Sequence, residues 1–588
     1  MSVGATLCAR VKTAVAGIPI LLMTVAFIMA AGFSCSGKIE SDTLKIGLSE
    51  EPRTLNIWLA SDTNSRKILS HIYQPLYRSE PVTLKLVPWL AEKQPEFDPE
   101  TVSYTVKIRP AKWSDGSDIT SEDVAFTARL IKEFKVPRFA SKWSFVKKIE
   151  TPDRHTVKYY LKKPMAVFLS RTLTGPVVQK REWAAITRAA KKREKPLAEL
   201  LNHRMEKPVS SGPFVLEQWR QGSYLYLKRN PYFFGKNLTI GGLKLGPHLG
   251  GLLFKIYGTS DVAVLALKKG AIDMFWQGIQ PGYLADLEKS SHIRIISSTK
   301  SALYFIGFNL RKIPFNDLNL RRAAATLIDR DFIVSRILQG YGEKMFTIVP
   351  RGNVFWSCPN VDHSGEGLSR NQRIRRAYDI LHQNGYTWEI PPVDASGKVV
   401  PAKGIRLPDG TSMERFTILT PPADYDPHRA MSGLIIQEWF RELGMPAYSR
   451  PMSFGALLQQ VKKNRDFDSF ILGYGRLPID PDFVRSLFHS KNDKPRGWNI
   501  SGYRNADFDS LADQSRSVLD PAERRKLIWK MQLLISKDLP YIPLYIPALM
   551  EAVRDDRFSG WVEMQDGIGN IWSFCRLKPV GSKENGTE

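Results

Sequence analysis

Few residues in this chain have the type and spacing that bond-making chemistry needs. The densest acidic stretch is Trp113-Ser114-Asp115-Gly116-Ser117-Asp118-Ile119-Thr120-Ser121-Glu122-Asp123-Val124. Four carboxylates this close together invite comparison with a calcium loop, but the spacing does not match an EF-hand. Asp115-Gly116 is turn chemistry, because glycine tolerates positive φ and the aspartate side chain bonds the backbone ahead of it. Thr120 followed by Asp123 is a capping-box-like pair that starts a helix over residues 121–132. Turn and cap account for every acid, so no metal is expected there. A second stretch runs Gly473-Tyr474-Gly475-Arg476-Leu477-Pro478-Ile479-Asp480-Pro481-Asp482. A guanidinium such as that of Arg476 is costly to bury without an acceptor, and a carboxylate of Asp480 or of a bound molecule would serve. The chain has no Gly-x-Ser-x-Gly elbow, no His-Glu-x-x-His pair and no Walker-type phosphate loop, and its nine histidines are scattered. Neither an enzyme nor a bound cofactor is expected.

The elements that would position such residues can be read from periodicity. Tyr304-Phe305-Ile306-Gly307-Phe308-Asn309-Leu310 is an apolar run suited to a buried strand, and a polar turn containing Pro314 ends it. Leu320, Ala323, Ala324, Leu327 and Ile328 then recur at helical spacing, with Asn316, Asp317 and Asn319 available as caps. Asp329 or Asp331 can cap a second helix carrying Ile333, Ile337 and Leu338, which Gly340 ends. A buried strand feeding directly into helices this deep in a long chain predicts a crossing between lobes. Elsewhere the pattern predicts helices over 65–77, 431–443 and 520–535, and strands over 44–48, 103–108, 467–472 and 539–545.

The chain has 588 residues, enough for several domains and a large core. Its formal net charge of +25 would suit nucleic acid or an anionic surface. The basic residues are spread along the chain, however, and the one tight cluster, Arg188 to Lys195, reads as a solvated helix end, so no nucleic-acid partner is expected. Arg10 and Lys12 precede an uncharged apolar stretch from Thr13 to Ser34, which has the shape of an export signal. Gly32-Phe33-Ser34-Cys35 resembles a lipoprotein signal box with Cys35 as the acylated residue, although Gly32 stands where leucine is usual. A simply cleaved signal and a retained helix are the competing readings. All three place the body outside the cytoplasm. Removing Cys8 and Cys35 from the four cysteines leaves Cys358 and Cys575, a pair that an exported protein is free to join.

Phe308-Asn309, Pro314-Phe315-Asn316-Asp317, Arg321 to Ala324, Ile328-Asp329-Arg330 and Gly340-Tyr341-Gly342 resemble the middle of a family 5 extracellular solute-binding protein, the oligopeptide, dipeptide and nickel receptors of ABC importers. The stretch from Trp113 to Val124, Ser211-Gly212-Pro213-Phe214 and Arg229-Asn230-Pro231-Tyr232 continue the likeness, which spans nearly everything after residue 43. The resemblance implies an α/β, periplasmic-binding-protein-like fold of type II in its enlarged three-subdomain form, with two lobes of mixed sheets joined by a two-strand hinge. Its expected parts are a signal with a lipobox at 1–35, a first lobe at 43–81 and 208–300, an extra subdomain at 82–207, a second lobe at 301–540, and a return to the first lobe at 541–588. It also implies a monomer that encloses a peptide or small-molecule ligand, works with ABC permease subunits and reaches the membrane through its N-terminus; a solute sensor that signals without transport is the competing reading, since it shares the same residues.

Candidate ligand contacts are Trp276 and Gln277 at the end of the first lobe, Tyr474, Gly475 and Arg476 after the strand of the second, and Trp498 with Asn499 beyond it. Core packing is the competing reading for each aromatic. Peptide receptors of the family place an aspartate a few residues after this strand to pair with the peptide ammonium. The corresponding position here is Leu477, and Tyr474 replaces a tryptophan. Asp480 or Asp482 would have to substitute; otherwise the ligand is an oligosaccharide, another polar solute, or a peptide held differently. Nickel is disfavoured, because no histidine or cysteine cluster supports it.

Overall fold

A computed structural model describes residues 41–581. The predicted signal and Cys35 lie outside these residues. No helix among the described residues is long and apolar enough to cross a membrane.

Two mixed sheets organise the molecule. The first has spatial order Ile293–Ser298, Leu549–Arg554, Met274–Phe275, Thr43–Leu48, Gly251–Ile256, Tyr224–Arg229, Phe214–Arg220. The second runs Gly342–Lys344, Tyr541–Pro547, Leu303–Phe308, Ser469–Tyr474, Phe416–Thr420, Ala447–Pro451. A four-stranded sheet containing the hairpin Val146–Asp153 and Thr156–Leu161 forms the extra subdomain. The chain leaves the first sheet at Ser298 and enters the second at Leu303, then returns between Pro547 and Leu549. The expected return at residue 541 is corrected. The strand Tyr541–Pro547 pairs with Leu303–Phe308 inside the second sheet, so the crossing falls at Ala548.

Leu303–Phe308 is central in its sheet and packed on both faces, which is why its sequence is continuously apolar rather than alternating. Gly307 is required by close packing: a Cβ there would sit 2.6 Å from the Phe470 ring and 3.0 Å from that of Tyr541. One face carries a cluster built on Ile306, Leu320, Ile333, Ile418 and Phe440. The other carries Phe305, Phe470, Leu487, Met531 and Tyr541. The first lobe has its own core around Ile46, Ile72, Phe254 and Phe574.

Local signals explain most boundaries. Asp317, Asp426 and Asp520 cap helices Leu318–Leu327, Pro427–Glu442 and Pro521–Asp538, and Thr120 and Asp123 form a capping box on Ser121–Glu133. The helix predicted over 65–77 is shorter, Thr63–Leu69. Pro75 cannot continue it, and the Ile72 carbonyl accepts from Ser211 N (3.0 Å) and Gly212 N (2.9 Å). The second helix of the central stretch is a single turn, Arg330–Phe332, that widens into a π-turn over Ile333–Ile337.

Cys358 lies with Phe346 and Val361 in the second lobe, and Cys575 with Trp89 and Trp572 in the first. Both thiols are unbonded and buried, so the pairing that export would permit is not made.

Candidate functional site

In open α/β sheets ligands gather beyond the carboxyl ends of parallel strands. Thr43–Leu48 runs parallel to Gly251–Ile256 and Met274–Phe275. Beyond their ends a recess of about 590 Å³ is lined by Ser49, Glu50, Arg53, Asn64, Lys67 and Gln277. In the other lobe Phe416–Thr420 runs parallel to Ser469–Tyr474, and the exposed Gly475 and Arg476 follow it. A Cβ on Gly475 would meet no atom within 4 Å.

Gln277 is held at the rim, where it accepts from the Ser49 hydroxyl and donates to Asn64 Oδ1 (3.3 Å). Trp276 is 4 % exposed and belongs to the first-lobe core. Its ring stacks on Phe254 at 6.1 Å and meets Phe574 edge-on at 5.3 Å. Only its carbonyl serves the cleft, accepting from Lys67 Nζ at 2.6 Å while that ammonium also sits 4.5 Å from the indole centroid. Tyr474 packs inward against Phe305 at 5.6 Å, and burial holds its hydroxyl in the neutral form. Trp498 is half-exposed, with its ring 6.1 Å from that of Tyr474 and the Lys462 ammonium 3.7 Å from its centroid. Asn499 is committed to a turn. Its amide donates to the carbonyls of Phe488, His489 and Tyr503, and its oxygen accepts from the backbone of Gly502 and Tyr503. Gln277 therefore lines the first-lobe recess, and Gly475 and Arg476 are exposed beyond the strand of the second lobe, where the charge of Arg476 reaches Lys67 and Asp566 of the first. The side chains of Trp276 and Asn499 are not available there, because both are needed where they fold.

The acids after Arg476 are also taken, which corrects the expectation that one of them serves Arg476 or a ligand ammonium. Asp480 receives a bidentate pair from Arg524 at 2.7 and 2.8 Å, with both side chains buried. Asp482 receives Arg516 at 2.8 and 2.9 Å and Arg171 of the extra subdomain at 2.6 Å. Leu477 turns into the second-lobe core and exchanges backbone and hydroxyl bonds with Ser301.

These contacts also reveal a second junction between the lobes, far from the crossings in sequence. Arg171 reaches Asp482, Ser170 Oγ donates to Asp480 (2.7 Å), and Ala166 N donates to the Arg516 carbonyl (2.7 Å). At the crossings themselves Ser301 N donates to Asp566 Oδ1 (2.8 Å), and Asp566 N to the Thr299 carbonyl (3.0 Å). The lobes are thus in contact in two places.

Sequence reasoning missed Lys67, Lys300, Glu551 and Asp566, which look like ordinary surface charges. Glu551 is 1 % exposed and accepts from Ile568 N at 2.6 Å. Burial lifts its carboxyl to about 7, and Lys67 and Lys300 oppose that rise. Burial likewise lowers Lys67 to about 8. Folding therefore holds a proton on Glu551 that the unfolded chain has already released between about pH 4.5 and 7. The stabilisation is complete below the lower value and is lost as pH rises through the upper one. The melting temperature should fall across that window, and Glu551→Gln should make the fall shallower, as a thermal-shift series in pH would measure. An unchanged slope in the variant would remove Glu551 as a source.

The family model for bacterial extracellular solute-binding proteins, family 5 Middle, matches residues 85–495. The chain is similar to the oligopeptide-binding protein AppA of Bacillus subtilis, 28% identical over 92% of this chain and 94% of that protein. It is also similar to the probable D,D-dipeptide-binding periplasmic protein DdpA of Escherichia coli K12, 25% identical over 88% of this chain and 92% of that one. The solved structure of Bacillus subtilis AppA in complex with a nonapeptide superposes with a TM-score of 0.64 at 23% identity, covering 92% of this chain and 99% of that one.

Proposed function

Because the chain belongs to the family 5 bacterial extracellular solute-binding proteins, we propose that it is the substrate-binding protein of an ABC importer, closing two lobes around a peptide or similar small polar solute and delivering it to membrane permease subunits. The observation that carries this is the pair of crossings at 299–302 and 548, beside a polar recess of the first lobe lined by Asn64, Lys67 and Gln277. Two adjacent antiparallel crossings allow rotation about one axis and little else, so the cleft can open to water and close on a ligand. The reading is of binding without turnover. The protein acts as a monomer outside the cytoplasm, anchored by acylation of Cys35.

Gln277, Gly475 and Arg476 are the proposed contacts in the cleft, with Trp498 at its flank. Arg476→Ala should weaken solute binding at least tenfold and leave the melting temperature of the unliganded protein nearly unchanged, since the side chain is exposed. Native mass spectrometry of freshly purified protein tests the function. A series of peptide masses supports the reading. Hexose-spaced masses would favour an oligosaccharide receptor of the same fold. A protein that carries no solute and takes none from a peptide digest would overturn it.

A further inference from the structure

Cations outnumber available carboxylates where the cleft meets the crossings. Lys300 lies within the first crossing, half-buried. The next residue, Ser301, accepts at 2.6 Å from the backbone N–H of Leu477, which fixes Arg476 beside it. From the facing lobe comes Lys67, pinned on the Trp276 carbonyl. Burial lowers the basicity of Lys67 and Arg66, and the charge of Arg476 reaches both and adds to that lowering, while Glu551 opposes it at Lys67.

Three acids act on these cations, and none pairs with them. Asp566 is occupied by Ser301 N, Glu551 by Ile568 N and Asp426 by the Arg429 guanidinium. Burial pushes the carboxyls of Asp566 and Glu551 up, toward the neutral form. Among the described residues Lys67, Lys300 and Arg476 form no ion pair with a carboxylate. A guanidinium and an ammonium facing each other across a closing cleft repel unless an anion lies between them. A planar carboxylate matches the guanidinium fork.

We propose that the crossing end of the cleft is an anion subsite, in which Arg476 of one lobe and Lys67 of the other hold a carboxylate of the bound solute, with Lys300 as the third cation. This rests on the receptor reading above and specifies the ligand class. The solute is an acid, either a peptide offering its C-terminal or a side-chain carboxylate or a non-peptide carboxylic acid. The position that would meet a peptide ammonium is filled by Leu477, which faces the core, so charge recognition at this loop is of the opposite sign from that of the relatives with an aspartate there.

The test uses the protein with a peptic casein digest, before and after methyl esterification of its carboxyl groups, and identifies retained peptides by mass spectrometry. The wild type should retain peptides from the untreated digest and at least tenfold less from the esterified one, and the retained sequences will show which carboxylate is used. Arg476→Gln and Lys300→Gln should each lose that preference while keeping the wild-type melting temperature. Equal retention of both digests by the wild type overturns the subsite and leaves the receptor reading standing. If neither digest is retained and the purified protein carries only a non-peptide solute, a carboxylic acid supports the subsite and a solute without an anionic group overturns it. Retention of nothing at all removes the receptor reading and the subsite with it.

Discussion

Replacing Asp480 by alanine is expected to destabilise the second lobe by about 3–5 kcal/mol, the usual cost of breaking a buried ion pair by removing one partner. Arg524 is 4 % exposed, donates two bonds to Asp480, and has its third direction filled by the Ser515 carbonyl at 2.8 Å. Its guanidinium also lies 5.0 Å from the Trp356 ring centroid, so it has no route to water without unpacking that indole. Alanine would leave the buried guanidinium without its bidentate carboxylate, with only the Ser515 carbonyl and the nearby Asp482 charge to answer it. The melting temperature should fall by roughly 10 °C. The double change Asp480→Leu with Arg524→Met should recover most of the loss, because removing both charges removes the desolvation penalty as well. A single variant that loses less than about 1 kcal/mol would mean that the pair behaves as a surface contact.

That pair also shows how far the sequence could be read. Asp480-Pro-Asp482 announces itself as a motif, and the natural inference is a partner nearby or in the ligand. The actual partners lie 44 residues on, at Arg524, and 311 residues back, at Arg171. No local period reports such pairings, since they depend on how the lobes meet. The strand Leu303–Phe308, the caps at Asp317 and Asp520 and the box at Thr120 were legible because each is decided within a few residues.

The candidate site divides along the same line. Gln277 and Arg476 follow strand ends, a position visible in sequence, and the first lines the recess of its lobe while the second is exposed. Trp276 follows the same strand end as Gln277, yet its ring points the other way, as alternation along an extended backbone requires. Asn499 was misread because a buried amide that caps a turn and one that holds a ligand have the same sequence signature. Lys67 and Lys300 gain significance only through what the fold places opposite them.

Arg171→Ala should shift the lobes toward the open form without destabilising either one. Its carboxylate partner Asp482 is 4 % exposed but keeps Arg516 from its own lobe, so the variant leaves no buried charge unpaired in any state. What is lost is a contact made only when the lobes are together. The Arg171 side chain is 30% exposed, so screening holds the loss to about 1–1.5 kcal/mol. A closed state weakened by that amount lowers apparent affinity for the solute roughly tenfold, because only the closed state engages it fully. Small-angle scattering of unliganded protein should show a larger radius of gyration in the variant, and saturating solute should restore the wild-type value. Arg516→Ala is the control that separates the junction from simple charge loss. There Asp482 retains Arg171 when the lobes are closed but has neither arginine once they part, so opening becomes costlier and the scattering change should reverse in sign. Identical profiles for all three proteins would show that the contact between Arg171 and Asp482 contributes nothing to closure.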